Sequence, residues 1–281
     1  MVLDVSVVGK HLGTFIKEYT WKDMILYALG VGSGFDELEY CYEEGLKVLP
    51  SFGVAVLCPE LTDHVNASAG VNLAGTVHGE HELILHRPIP PAGGTWRTEA
   101  KIAHMYDKGS DKGAVVITTA DTYDANGQKL FTNILTNFCR LDGGFGGENA
   151  PSEPAERPVG PPDYEEMDRP SRNQPLLYRL SGDYFPLHVH PERARECGFE
   201  GPIVHGLCTY GYTCRAIVKR LIPGEPERLT RLRARFTRSL YPDTPIKTQI
   251  WEAGEGKALF RAFNVNNGDV VVDRGVAEWK C

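Results

Sequence analysis

"GGFGGENAPSEPAERPVGPPDYEEMDRP", Gly143–Pro170, divides the chain in two. It is dense in glycine, proline and acidic residues and carries almost no apolar periodicity, so it reads as a connection between two folded halves. Upstream, "HGEHELILHRPIP" and "TWRTEAKIAHMYDKGSDKGAVVITTADTYDANGQKLFTNILTNFCRL" alternate or run apolar in strand-length pieces. Turn signals at Asp107 to Lys112 and at Asn126-Gly127 break them, which predicts an antiparallel meander. Downstream, "RLTRLRARFTRSLYPDTPIKTQIWEAGEGKALFRAFNVNNGDVVVDRGVAEWK" repeats the style, with turns at Pro242-Asp243, Gly254 to Gly256 and Asn267-Gly268. Helical material precedes each meander: "WKDMILYALGVG" and "LPSFGVAVL" in the first half, "PERARECGF" and "GLCTYGYTCRAIVKRL" in the second. The chain is therefore expected to be an internal repeat, with residues 1–145 as one half, 146–170 as linker and 171–281 as the other.

Composition narrows the functions open to such a repeat. With 281 residues, 42% of them hydrophobic, the chain can fill a sizeable core. A formal charge of −7 argues against nucleic acid or an anionic membrane as the main partner. Seven cysteines, at 41, 58, 139, 197, 208, 214 and 281, form no CxxC pair and are odd in number, which fits a reducing compartment. The start "MVLDVSVVGKHLG" shows no export signal, and no stretch approaches the roughly 20 apolar residues of a membrane span. The C-terminal "EWKC" is not an SKL-type address, so a cytoplasmic or peroxisomal protein is expected.

The chemistry concentrates in "SGDYFPLHVHPE", Ser181–Glu192. Pro186 cannot continue a helix and biases Phe185 away from helical geometry, so Asp183 and His188 share an irregular loop and can turn toward one point. A carboxylate and an imidazole so placed can hold a water molecule and move its protons near neutral pH. The spacing fits equally a turn-capping Asp183 and a buried, satisfied His188. His190 precedes Pro191 and reads as a flanking structural residue. A metal centre from His188, His190 and His205 lacks a known ligand spacing, so no metal is expected. Gly206 opens a long apolar helical run, where a free backbone N–H can meet a ligand oxygen; close packing at the helix entry would also call for glycine.

Aligning "KDMILYA" with "GDYFPLH" sets Asp23 opposite Asp183 and Ala28 opposite His188, so one complete Asp/His pair per chain is expected, in the second half. Asp, His and a glycine N–H together suggest a carbonyl substrate whose enolate oxygen is stabilised while water is added or removed nearby.

The stretch "YRLSGDYFPLHVHPERARECGFEGPIVHGLCTYGY" resembles the hydratase 2 motif of the MaoC-like (R)-specific enoyl-CoA hydratases, as in the hydratase domain of peroxisomal multifunctional enzymes of type 2. "YALGVG", "YEEGLKVLPSFGV", "HGEHELILHRPIP" and "GGFGG" extend the resemblance over most of the chain. It implies an α+β double hot-dog fold, two antiparallel sheets each wrapped around a long helix. It also implies reversible hydration of a trans-2-enoyl thioester to an (R)-3-hydroxyacyl thioester. Asp183 and His188 would activate water, Gly206 would donate to the thioester oxygen, and CoA would enter only as part of the substrate. Substrate contacts are expected from Tyr184 and Phe185. Phe185 stands where the family motif has Asn, which points to a bulky acyl group. Arg233 and Arg235 alternate on one strand face and are candidates for the CoA phosphates. Glu43 occupies an acidic position of the half lacking the pair and is read as structural. A CoA or acyl-carrier thioester substrate and a homodimer are expected, with a hot-dog thioesterase or a catalytically weakened acyl-thioester binding protein as the alternatives.

Overall fold

Ten strands build one antiparallel sheet in a computed structural model that describes residues 3–57, 59–151 and 156–281. The first half contributes β1 (His11–Thr20), β2 (Thr76–Leu85), β3 (Gly93–Asp107), β4 (Ala114–Tyr123) and β5 (Lys129–Cys139). The second contributes β6 (Tyr164–Asp168), β7 (Leu229–Phe236), β8 (Ile246–Glu252), β9 (Lys257–Asn264) and β10 (Val270–Trp279). Their order is β1-β3-β4-β5-β2-β7-β10-β9-β8-β6. Each half follows the same path, and the two meet where β2 pairs with β7, Glu80 opposite Arg235. The chain is an α+β double hot-dog.

The sequence signal missed both sheet edges. Tyr164–Asp168 falls inside the stretch read as linker yet pairs with β8, Tyr164 opposite Ile250. Its counterpart β1 pairs with β3 at the other edge. Neither carries a strong apolar stripe: in β1 only Tyr19 is buried, and β6 reads Tyr-Glu-Glu-Met-Asp. Charged, weakly apolar strands are typical of edges, which must resist pairing with other chains. Within that connection, residues 152–155 lie outside the described residues, as does Cys58. The "GGFGG" loop just before it is held by the Asp107 carboxylate, which accepts from the N–H groups of Gly109, Gly144 and Gly146 at 2.7–2.8 Å.

Helices α1 (Trp21–Gly30), α2 (Pro59–Ser68), α3 (Gln174–Tyr178), α4 (Pro191–Glu196) and α5 (Gly206–Leu221) complete the layer facing the sheet. Helix α5 is the central element of the second half, buried from Cys208 to Cys214, and its Tyr210 hydroxyl donates to the Leu232 carbonyl at 2.6 Å. The matching place in the first half holds a 3-10 turn, Pro50–Val56, followed by α2. Helix α1 follows β1 and α3 follows β6, and the two pack on each other through Tyr27 and Tyr178, with ring centroids 5.9 Å apart.

The repeat can also be registered on "YALGVG" (residues 27–32) and "YRLSGD" (residues 178–183), which close α1 and α3, and this sets Gly32 against Asp183. Asp23 instead caps α1, accepting from the Thr20 backbone N–H at 2.7 Å and hydroxyl at 2.8 Å. In that register Glu37, five residues beyond Gly32, falls against His188, five beyond Asp183. Glu37 is held by Arg215 at 2.7 Å, and Arg215 also reaches Asp168 and the Val31 carbonyl. Glu43, by contrast, is exposed. The first half therefore carries a buried ion cluster where the second carries its acid/base loop.

Candidate active site

The loop after α3 turns sharply at Gly182, whose φ of +128° suits a residue without Cβ and where an added Cβ would lie 3.4 Å from the Ala55 carbonyl oxygen of the first half. That closeness seats Asp183 at the junction of the halves. One Asp183 carboxylate oxygen accepts from the Phe185 N–H at 3.2 Å, and Phe185 then enters a 3-10 turn over Pro186–His188. The turn buries His188 to 9% exposure. Its Nδ1 lies 2.9 Å from the Ile203 carbonyl, which can only accept, so Nδ1 carries the hydrogen and Nε2 presents a lone pair. Burial lowers the His188 pKa below its ordinary value, opposed by the Asp183 charge and the Ile203 bond, so the ring is a neutral base at physiological pH.

A third residue, His205, joins the pair. It is 1% exposed and stacks on His188, centroids 3.7 Å and planes 23° apart. Asp183, His188 and His205 each offer a ligand atom, all within 4.8 Å of one another. A metal ion needs lone pairs that converge on one point about 2.0–2.1 Å away. Two imidazoles stacked face to face direct theirs along near-parallel planes, and His188 Nδ1 and His205 Nε2 already face carbonyl oxygens. The trio fits a hydrogen-bonding array, not a metal centre. Sequence reasoning weighed His205 only as a metal ligand; its place directly before Gly206 was the available signal. His190 is exposed and leads into α4.

Gly206 opens α5, and its backbone is exposed beside this array. A Cβ there would meet the Phe236 ring at 3.5 Å, an ordinary contact, so glycine is not required for packing. As the first residue of a 16-residue helix it has an N–H with no acceptor inside the helix.

A cavity of about 440 Å³ adjoins the loop, walled by Gly182 and Tyr184 on either side of Asp183 and by Phe15, Tyr19, Val56 and Trp96 of the first half. Tyr184 is 48% exposed, with the Arg179 guanidinium 5.4 Å from its ring centre. Phe185 does not line this cavity. Its ring is 55% exposed and edge-on to His188 at 6.4 Å, so of the two adjacent aromatics it is Tyr184 that lines the cavity. Arg233 and Arg235, the candidates for the CoA phosphates, already have a carboxylate partner. They lie on the sheet face away from α5, and both pair with Glu80 across the seam, Arg233 at 3.2 Å and Arg235 through Nε at 2.6 Å.

Residues 17–141 match the family profile described as the MFE-2 hydratase 2 N-terminal domain, and residues 153–274 match the MaoC like domain. The chain is 36% identical to the probable enoyl-CoA hydratase 2 of Dictyostelium discoideum, over 99% of this chain and 97% of that protein. It is also 36% identical to the peroxisomal multifunctional enzyme type 2 of Mus musculus, over 98% of this chain and 38% of that protein. The crystal structure of a MaoC-like dehydratase from Phytophthora capsici superposes with a TM-score of 0.90 at 31% identity, covering 99% of this chain and 98% of the other. Two profiles in tandem, full-length similarity to a named hydratase and the shared double hot-dog establish that the chain belongs to the MaoC-like, hydratase 2 family of enoyl-thioester hydratases and dehydratases.

Proposed function

We propose that this chain catalyses the reversible hydration of a trans-2-enoyl thioester, CoA-linked, to the (R)-3-hydroxyacyl thioester. The observation that carries this reading is the bare Nε2 of His188 beside the Asp183 carboxylate, near the exposed start of α5 at Gly206, with Gly182 and Tyr184 on either side of Asp183 lining a cavity rich in aromatic residues. A water donating one hydrogen to Asp183 and the other to His188 Nε2 presents its oxygen lone pair to C3 of the enoyl group. As the C3–O bond forms, the pair removes a water proton and the C2=C3 electrons move toward the thioester oxygen. The Gly206 N–H stabilises that oxyanion. The pair then returns a proton to C2 on the same face, which restores it and completes syn addition. The acyl tail lies in the 440 Å³ cavity, a volume within the range of small-molecule pockets. Its aromatic floor of Phe15, Tyr19 and Trp96 favours a bulky tail over a crotonyl group.

CoA is part of the substrate, and the scheme uses no other cofactor. Among the described residues no helix is long and apolar enough to cross a membrane, and we place the activity in the cytoplasm or the peroxisome, with the chain as a homodimer. The deciding experiment is a hydration assay on crotonyl-CoA and longer or branched enoyl-CoA esters, with chiral analysis of the product. An (R)-3-hydroxyacyl product supports the reading. Free CoA released from a saturated acyl-CoA would show a thioesterase, and binding without turnover would show a thioester-binding protein.

A further inference from the structure

His205 makes no contact that packing alone would require of a histidine. It precedes Gly206 and caps α5, yet no capping bond comes from its side chain. Its Nε2 lies 3.2 Å from the main-chain carbonyl oxygen of Asp183. That oxygen can only accept, so Nε2 carries the hydrogen and Nδ1 is left as a lone pair, buried and without a hydrogen-bond partner among the described residues. One face of the ring stacks on His188 at 3.7 Å, and Tyr178 covers it at 4.9 Å. Burial and the neighbouring His188 push the His205 pKa down to about 2, so the ring stays neutral and adds no charge against a protonated His188. The groups that act on this stack are Asp183 and His188 from the loop, Tyr178 at the end of α3, and Arg179 beside it.

We propose that His205 is a positioning residue of the hydration reaction: its ring fixes the plane of His188 and its Nε2–H clamps the backbone at Asp183, so both acid/base groups keep one orientation toward the same water. The proposal rests on the hydratase reading above. Two separate contacts converge on the two proposed acid/base residues from one side chain that itself need not touch the substrate. A neutral ring is required for both, since a protonated one would repel the imidazolium that His188 becomes during turnover.

Two variants of the full chain separate the contacts. His205→Phe keeps the stacked ring and loses the N–H; His205→Gln keeps a donor of similar reach and loses the ring. With the best enoyl-CoA substrate, each is expected to lower kcat by about tenfold to a hundredfold, the scale of a misplaced catalytic group, with KM within about twofold. The acid limb of kcat/KM distinguishes them. In His205→Gln water reaches His188, its pKa rises toward the ordinary value, and the limb moves to higher pH; in His205→Phe the ring still shields His188 and the limb stays in place. Wild-type kcat in either variant overturns the proposal, and so does a loss of activity in His205→Gln with an unmoved acid limb. If His205→Phe fails to fold, as judged by circular dichroism, the His205→Gln pH profile alone decides. Absence of hydration by the wild-type chain would instead overturn the reading of the reaction, which sets the two failures apart.

Discussion

At the scale of single residues, the site depends on side chains with few structural duties. The Asp183 carboxylate accepts a hydrogen bond from the Phe185 N–H in its own turn, and it is the main-chain carbonyl of Asp183, not the side chain, that meets the buried His205. Asp183→Asn should therefore leave the circular dichroism spectrum and melting temperature unchanged while lowering enoyl-CoA hydration by at least about a hundredfold, the usual contribution of a positioned acid/base group. Near-normal turnover would remove Asp183 from the mechanism. This pair was legible in the sequence because Pro186 confines it to one loop and no distant residue is needed to bring it together. The stack of His205 on His188 was not, because it depends on how the start of α5 packs against that loop. Nor was the exchange of roles between the two adjacent aromatics. We expect Tyr184→Ala to raise KM for long-chain substrates more than for crotonyl-CoA, since it removes cavity wall next to Asp183. Phe185→Asn restores the family residue without altering the cavity, and should raise crotonyl-CoA turnover by up to about tenfold, the worth of one added hydrogen bond. Equal KM changes across chain lengths for Tyr184→Ala would place the tail elsewhere.

At the scale of elements, the two halves share a path through the sheet but no longer share a site. Gly32, opposite Asp183, has φ +89°, and a Cβ there would lie 2.4 Å from the Tyr212 ring of α5. A second acid/base loop thus cannot be rebuilt by point substitution. Gly32→Asp is expected to destabilise the chain by more than about 2 kcal/mol in urea unfolding, through backbone strain and the collision with Tyr212 together. The vacated place is filled by charge. Arg215, with 10% side-chain exposure, bridges Glu37 of the first half and Asp168 of β6, and so ties the edge strand, the central helix and the opposite half together. Removing one partner of a buried ion pair strands the others, so Arg215→Met should cost about 3–5 kcal/mol. A variant as stable as the wild type would show the cluster to be neutral in the fold. None of this arrangement is visible locally, because Glu37, Asp168 and Arg215 lie far apart in the sequence and meet only in the folded chain.

At the scale of the whole molecule, buried neutral histidines make the fold sensitive to acid. His78 and His81, on β2 at the seam of the halves, have ring centroids 5.4 Å apart, and His81 Nε2 lies 3.0 Å from the Asn133 side-chain oxygen. Burial pushes the His78 pKa down to about 4 and His81 well below its ordinary value; His205 is pushed to about 2 and His188 is lowered as well. In the unfolded chain each would titrate near 6.5. The sign follows from which state takes up protons first. Between about 6.5 and the folded pKa the unfolded chain is protonated and the native one is not, so each step down in pH favours unfolding by up to about 1.4 kcal/mol per histidine and per pH unit. Above about 6.5 both states are neutral and these residues give no pH dependence. Stability to urea should thus be level from about pH 7 to 8 and fall steeply between about 6.5 and 4, where His78 begins to protonate in the native state; the pull from His205 continues to about 2. The measurement is the free energy of unfolding at half-unit pH intervals, in wild type and in His81→Gln. A neutral amide can keep the bond to Asn133 but cannot take up the proton, so the variant should show a shallower decline below pH 6.5. If its slope equals that of the wild type, the acid sensitivity comes from other groups and the buried His81 beside the half-buried His78 at the seam has no part in it.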